Sequence, residues 1–375
     1  CTSGTADLLR IMLPDAAHLQ EEEADYANRH GTSAHTPALP LFTVDDAEKA
    51  LGLVRPVKVN APVTVGRQVS ARFIRSGHIL GAAIMEVGVG NLKVVHSGDL
   101  GRYNVPIMPD PEPVAAADIL LVESTYGNRL HPREEPATVL VAAVQRAVEQ
   151  KGWLVIPAFA VGRSQEILYT LRELEEAGRI PSLAVYLDSP MAIEATAIYA
   201  QHPEEEDPDL AKAVSAGKRP FVPRRFHLAK SVQDSKALND VDGPVIVISG
   251  SGMATGGRVL HHLSHRLPDP RTTVLFVGYQ AAGTRGRFLR DGAKEIRVFG
   301  EDVPVRAAIM VSDAYSAHAD QGEILRWLRG FKRPPRMTYI VHGEPEAAQA
   351  LKEKIGQDLG WPATVAEAGA TVPLQ

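Results

Sequence analysis

The sequence predicts an α/β protein of two domains. Three observations point there. An early stretch alternates like antiparallel strands, a middle stretch trades strands with amphipathic helices, and a late strand-like run again ends on a metal-binding type of side chain. With 375 residues, 45% of them hydrophobic, the chain is long enough to bury two ordinary cores.

The elements follow in order. Residues 5–19 have a helical pattern on Leu8, Leu9, Ile11, Met12 and Leu13, and Pro14 is expected to interrupt it. The acidic run 21–25 is a solvated helix face, and 28–40, rich in His, Ser, Thr and Pro, is a loop that holds His30 and His35. A short helix at 45–53 precedes strands that run to residue 93, and Gly90-Asn91 is a two-residue hairpin signal. After Glu123 the pattern changes. Residues 132–136 form a polar connector, and then helix 137–150, strand 153–157, helix 162–177 and strand 184–188 alternate as in a parallel sheet covered by helices. Strand 244–249, helix 257–266 and strand 272–277 continue the pattern. Residues 303–311, helix 320–329, strand 336–341 and a helix from 346 follow.

Chemistry concentrates at strand ends. His78 follows ARFIRSG, Asp99 follows LKVVHSG and Glu123 ends ILLV, so three polar groups can meet at one mouth of a sheet. Taken singly they have ordinary explanations. His78 suits a loop, and Asp99 in S-G-D-L-G suits a turn. Glu123 is harder to explain away, because a carboxylate at the end of a buried strand costs several kcal/mol, as an order of magnitude, unless paired. His318 in DAYSAHADQ and His342 in MTYIVHGEPEA lie far along the chain in similar settings.

The order and setting of these five segments closely resemble the β-CASP branch of the metallo-β-lactamase fold, in particular its RNA-processing nucleases. IPAFAVGRSQEILY, LDSPMA, SGSGMATGGR and LFVGYQAAGTRGR extend the likeness through nearly the whole chain. The resemblance implies a metallo-β-lactamase αββα sandwich interrupted by an α/β β-CASP domain, divided as 1–131, 132–298 and 299–375. It also implies two zinc ions, with His78 on one, Asp99 bridging both and His342 on the other. His318 then serves as general acid, oriented by Glu123. The family's His-x-His-x-Asp-His loop is expected upstream of Cys1, so the numbered chain is expected to supply three of seven ligands and, alone, to bind metal poorly and be inactive. A histidine in the last motif favours RNA over DNA, with endonucleolytic and 5′-end exonucleolytic cleavage both open.

For the substrate strand, Ser251 and Arg258 are candidates in a glycine-rich turn that opens a helix, where backbone N–H groups attract phosphate. The spacing departs from G-x-G-x-x-G, and no acidic residue follows at the distance a dinucleotide fold needs. Arg163, with a structural ion pair as its alternative, and Ser316 complete the substrate set. The cluster Lys218, Arg219, Arg224, Arg225 and Lys230, with Phe221 and Phe226 interleaved, suits either a phosphate-tracking surface or a solvated loop. His261, His262 and His265 form an ordinary helix surface rather than a metal tract.

Lys and Arg number 40 against 45 Asp and Glu, a formal charge of −5, which neither supports nor excludes a polyanion partner. The single cysteine, Cys1, excludes an internal disulfide and a cysteine-based zinc cluster, and favours a reducing, cytoplasmic setting. No apolar run is long enough to span a membrane. The expected partner is single-stranded RNA, and a homodimer is compatible with the family. The rival readings are a non-catalytic RNA-binding or scaffold relative and a two-metal hydrolase of small esters. Retention of all five metal and acid positions counts against the first, and the inserted domain with its Glu123/His318 pair counts against the second.

Overall fold

The computed structural model describes residues 1–132 and 135–372; residues 133 and 134 of the expected connector lie outside the described residues. Helices α1 (Ser3–His30) and α2 (Val44–Leu53) open the chain. Strands β1 (Val63–Gly66), β2 (Val69–Arg75), β3 (Ala83–Val89), β4 (Leu92–His96) and β5 (Ile119–Glu123) follow. Alternation then sets in: α3 (Pro136–Glu149), β6 (Trp153–Pro157), α4 (Arg163–Glu176), β7 (Ala184–Asp188), α5 (Pro190–Tyr199), α6 (Pro208–Ser215) and β8 (Arg225–Leu228). It continues through α7 (Val232–Ala237), β9 (Val245–Ser249), α8 (Val259–Arg266), β10 (Thr273–Val277) and α9 (Arg285–Arg290). The chain closes with β11 (Glu295–Val298), β12 (Glu301–Pro304), β13 (Ala308–Ser312), α10 (Gln321–Leu328), β14 (Met337–Val341), α11 (Pro345–Leu359) and β15 (Ala363–Val365).

Two large sheets result. The first has the order β1-β2-β3-β4-β5-β14-β15, antiparallel from β1 to β4 and parallel from β4 onward. The second, β13-β10-β6-β9-β7-β8, is parallel throughout. Its central strands are buried on both faces, as continuous runs such as WLVIP and VIVIS require. Leu154 and Ile156 pack towards Leu140, Val144 and Ile167, while Val155 packs towards Val259 and Leu263. A third core joins Ile74, Val95 and Val122 of the first sheet to Ile324, Trp327 and Leu351. The second sheet of the expected αββα sandwich is not among the described residues.

Two expectations are corrected here. α1 is not interrupted at Pro14 but runs through it for 28 residues, because the buried side chains on either side of the proline, Leu8 and Ala17 among them, keep the helix packed. β13 pairs with β10, register Thr273↔Ala308, so the chain changes sheet after Ser312 rather than near residue 299. An apolar run has no mark that says which of two sheets will accept it.

The first sheet sets the site. β4, β5 and β14 are adjacent and parallel, with Val341 opposite Glu123, so the residues that follow them emerge along one edge. The turns there are tight. Gly101 donates its N–H to Ser76 O at 2.7 Å, and a Cβ on it would lie 2.0 Å from Gly77 O and 2.6 Å from His78 N. Gly101→Ala is therefore expected to destabilise the protein by about 1–3 kcal/mol. A urea titration should show a lower midpoint with an unchanged slope.

Candidate metal centre and cleft

Three residues past β2 comes His78, three past β4 comes Asp99, Glu123 is the last residue of β5, and His342 is the first after β14. The structure brings all four together with His318, which lies between β13 and α10. The rings of His78 and His318 are 4.3 Å apart, and those of His318 and His342 5.8 Å. Gly101 and His318 form an isolated antiparallel bridge, and Ala319 donates to Leu100 O at 2.8 Å, which fixes the His318 segment against the Asp99 turn.

Glu123 is 1% exposed, and both carboxylate oxygens have polar partners. Oε1 accepts from Leu100 N at 2.6 Å and lies 3.2 Å from His318 Nδ1, while Oε2 accepts from Thr125 N at 3.3 Å. Burial favours the neutral acid, but the hydrogen bond and charge of His318 outweigh it and hold the Glu123 carboxyl below its ordinary range. Burial likewise opposes a charged His318, and Glu123 overcomes it, raising the imidazole above its ordinary value. The sign for stability follows. The raised His318 contributes fully below the ordinary imidazole value near 6.5 and is lost as pH rises through its folded value, while the Glu123 side is lost as pH falls through its own depressed value. His78 behaves oppositely. Burial, then the neighbouring His318, pushes it down to about 4, so it is neutral near pH 7, as a metal ligand must be.

The donor set suits a divalent metal such as zinc. Asp99 Oδ2 is 3.8 Å from His78 Nε2, and Oδ1 is 3.3 Å from His342 Nδ1. Donors about 2.0–2.2 Å from a tetrahedral zinc lie roughly 3.3–3.6 Å apart, so each pair is near the spacing of two ligands on one ion. His342 has a positive φ of 50°, and its carbonyl accepts from Ser124 N at 3.1 Å. His318 also lies within ligand distance of His78 and Asp99. Its Nδ1 also lies 3.2 Å from Glu123 Oε1.

Beside this centre a cavity of about 380 Å³ is lined by His78, His318, Ser316, Arg163, Met253 and Tyr279, among others. Arg163 is 7% exposed, paired with Glu166 and 6.0 Å from the Tyr315 ring, so it is both a structural ion pair and part of the cleft wall. Ser316 Oγ accepts from His318 N at 3.3 Å. Two substrate candidates have partners within the chain. Ser251 Oγ accepts from Thr255 N and Gly256 N, so it braces its own loop, and Met253 is the loop residue that reaches the cavity. Arg258 is turned to Asp188, which is 0% exposed, at 2.7 Å, and to the carbonyls of Ala229 and Lys230. His262 shares that carboxylate at 2.7 Å and is buried, contrary to the expected helix surface. Phe221 is core and Phe226 packs against it, so they do not interleave with the nearby cations as stacking platforms. One contributor had no assigned role: His131 Nε2 lies 2.9 Å from His318 O, and its N–H donates to Asp320 Oδ2 at 2.7 Å. Its only sequence signal was a place in the polar segment that follows Glu123.

A cluster of this chemistry, at the C-terminal edge of a mixed sheet and beside an inserted parallel-sheet domain, defines a metal-dependent hydrolase. Residues 164–289 match the Beta-Casp domain, and residues 302–366 match the Zn-dependent metallo-hydrolase RNA specificity domain. The chain belongs to the β-CASP family of RNA-processing metallo-hydrolases. It is 36% identical over 377 residues to Ribonuclease TTHA0252 of Thermus thermophilus, covering 100% of this chain and 81% of that protein. It is 28% identical over 378 residues to an RNase J-like protein of Methanocaldococcus jannaschii, covering 100% and 83%. To the transcription termination factor FttA of Methanosarcina mazei it is 32% identical over 372 residues, 96% of this chain but 56% of that protein. The chain thus spans about half the length of that relative.

The Glu123/His318 geometry generates a pH prediction. In the metal-free protein the His318 Cε1–H resonance should titrate above about 6.5, and in Glu123→Gln at or below it. NMR titration of the two proteins measures the difference.

Proposed function

We propose that the cleft hydrolyses phosphodiester bonds of single-stranded RNA, with His318 as general acid and His78, Asp99 and His342 as this chain's contribution to a two-zinc centre. The observation that carries the proposal is the buried Glu123 carboxylate on His318 Nδ1, beside the Asp99 carboxylate flanked by two imidazoles. Bound zinc ions supply a lowered water pKa near 7 and neutralise phosphate oxygen charge. The protein's own residues do the rest. Asp99 offers one oxygen to each side, so a single carboxylate can hold both metal positions in register. Glu123 favours the protonated form of His318 and orients the ring, so that Nε2 can give a proton to the leaving oxygen. Such transfer is worth about 10²–10⁴-fold in rate.

Arg163 and Ser316, in the wall beside His318, are the residues proposed to meet the strand next to the scissile phosphate. Arg258 is left out because Asp188 occupies it. No helix among the described residues is long and apolar enough to cross a membrane, and a cytoplasmic site of action is part of the proposal.

The full-length protein, loaded with zinc, should cleave 5′-labelled single-stranded RNA, and chelation should abolish cleavage. Asp99→Ala should lose both activity and metal content. His318→Ala should lose about 10²–10⁴-fold in rate while keeping its zinc. If the zinc-loaded parent binds RNA and leaves it intact, the chain is a non-catalytic binder and the proposal fails.

A further inference from the structure

The wall of the cleft carries an aromatic ring that the proposed chemistry does not use. Phe159 follows β6, lines the cavity beside His318 and is 41% exposed, although every residue of the strand before it is buried. Among the described residues no other ring packs on it. Its position is fixed nonetheless. The Phe159 carbonyl accepts from Ser164 N at 3.2 Å and from Ser164 Oγ at 2.8 Å, and Ala158 N donates to Ser249 O at 3.0 Å. A Cβ on Gly252 would lie 2.9 Å from Cδ2 of the ring and 3.1 Å from Cε2, so one edge of the ring rests against that bare backbone. Gly252 and Met253 are held in turn, their carbonyls accepting from Gln280 Nε2 at 3.1 Å and from Gly286 N at 3.0 Å. A flat side chain braced from behind and uncovered towards the cleft is pre-organised for a flat ligand.

We propose, on the hydrolytic reading of the cleft, that this cavity receives one nucleobase of the RNA strand, stacked on Phe159, and that the base belongs to the nucleotide on the leaving-group side of the scissile phosphate. The side follows from what lines the space. His318, the proton donor to the leaving oxygen, lines it together with His78, whereas Asp99 and His342 do not. The occupant follows from size and polarity. At about 380 Å³ the cavity falls within the roughly 300–1,000 Å³ of small-molecule sites. Arg163, Ser316 and His318 are joined there by Phe159, Met12 from α1, Met191 from the first turn of α5 and Met253. The last four side chains offer a π-face and polarizable thioethers but no hydrogen-bond donor. A phosphate or a ribose finds no partner among them, and a base has a face to match. Tyr279, also in the lining, gives its hydroxyl to Glu344. The base is therefore held by its face rather than read at its edges, and the site tolerates any of the four bases.

The test changes protein and substrate together, in the zinc-loaded full-length protein and on an RNA with one mapped cleavage site. Phe159→Ala should lower kcat/KM about 5–150-fold, the worth of one base stack. On the same RNA made abasic at the leaving-group nucleotide, parent and Phe159→Ala should agree within about twofold, because no base is left to stack. With the abasic site moved further along the strand, the loss should return in full. Phe159→Tyr, which keeps the ring, should behave as the parent. Losses that multiply at the leaving-group nucleotide would overturn the proposal, because Phe159 would then act without that base.

A binding measurement separates the base site from the chemistry. In RNA bound to His318→Ala, 2-aminopurine at the leaving-group nucleotide should be quenched by stacking, and the quenching should be lost when Phe159→Ala is added. RNA cut normally, with the same 2-aminopurine signal in both proteins, would overturn the base site alone. RNA that the parent leaves intact would overturn the hydrolytic reading and the leaving-group placement with it.

Discussion

A single buried carboxylate organises the centre of this molecule. Glu123 sits at the end of β5 between the two strands whose following residues supply Asp99 and His342, and its oxygens accept from the Asp99 turn, from the Thr125 turn and from His318. Left unpaired, a charge so placed would cost several kcal/mol; paired, it selects the arrangement in which His318 returns from a distant part of the chain to complete the site. Breaking such a pair by truncating one partner leaves the other charge buried, so the fold and the chemistry depend on the same contact.

The two sheets divide the work. The first positions the proposed ligands, because the side chains sit at or just past strand ends, and its parallel register places Glu123 opposite Val341 with His342 one step further. The second supplies a wall, through Arg163 at the start of α4 and the loop that presents Met253. α1 links them. Its first turn is tied to Gly81 and to Glu205, and its Met12 lines the cavity beside His78.

Much of this was legible in the sequence because it is local. An apolar run that ends in Ser-Gly and then His or Asp announces both the strand and the residue past its end, and the Gly90-Asn91 hairpin places β3 beside β4. What was not legible depended on distant partners. Arg258 opens a helix as a phosphate ligand would, yet Asp188, on another strand, claims it. Phe221 lies among cations in sequence and among apolar side chains in space. Pro14 ends most helices, but burial on both sides carries α1 past it. β13 is one apolar strand with two possible sheets, and no local signal decides between them.

The central claim is that Glu123 acts through His318 and not independently. A double-mutant cycle on RNA cleavage, with Glu123→Gln, His318→Ala and the pair in the zinc-loaded full-length protein, tests it directly. If the two residues form one unit, the double variant should be no slower than His318→Ala alone, because removing the imidazole leaves Glu123 nothing to orient. Losses that multiply would show that Glu123 contributes by another route, and the acid assignment would have to be withdrawn.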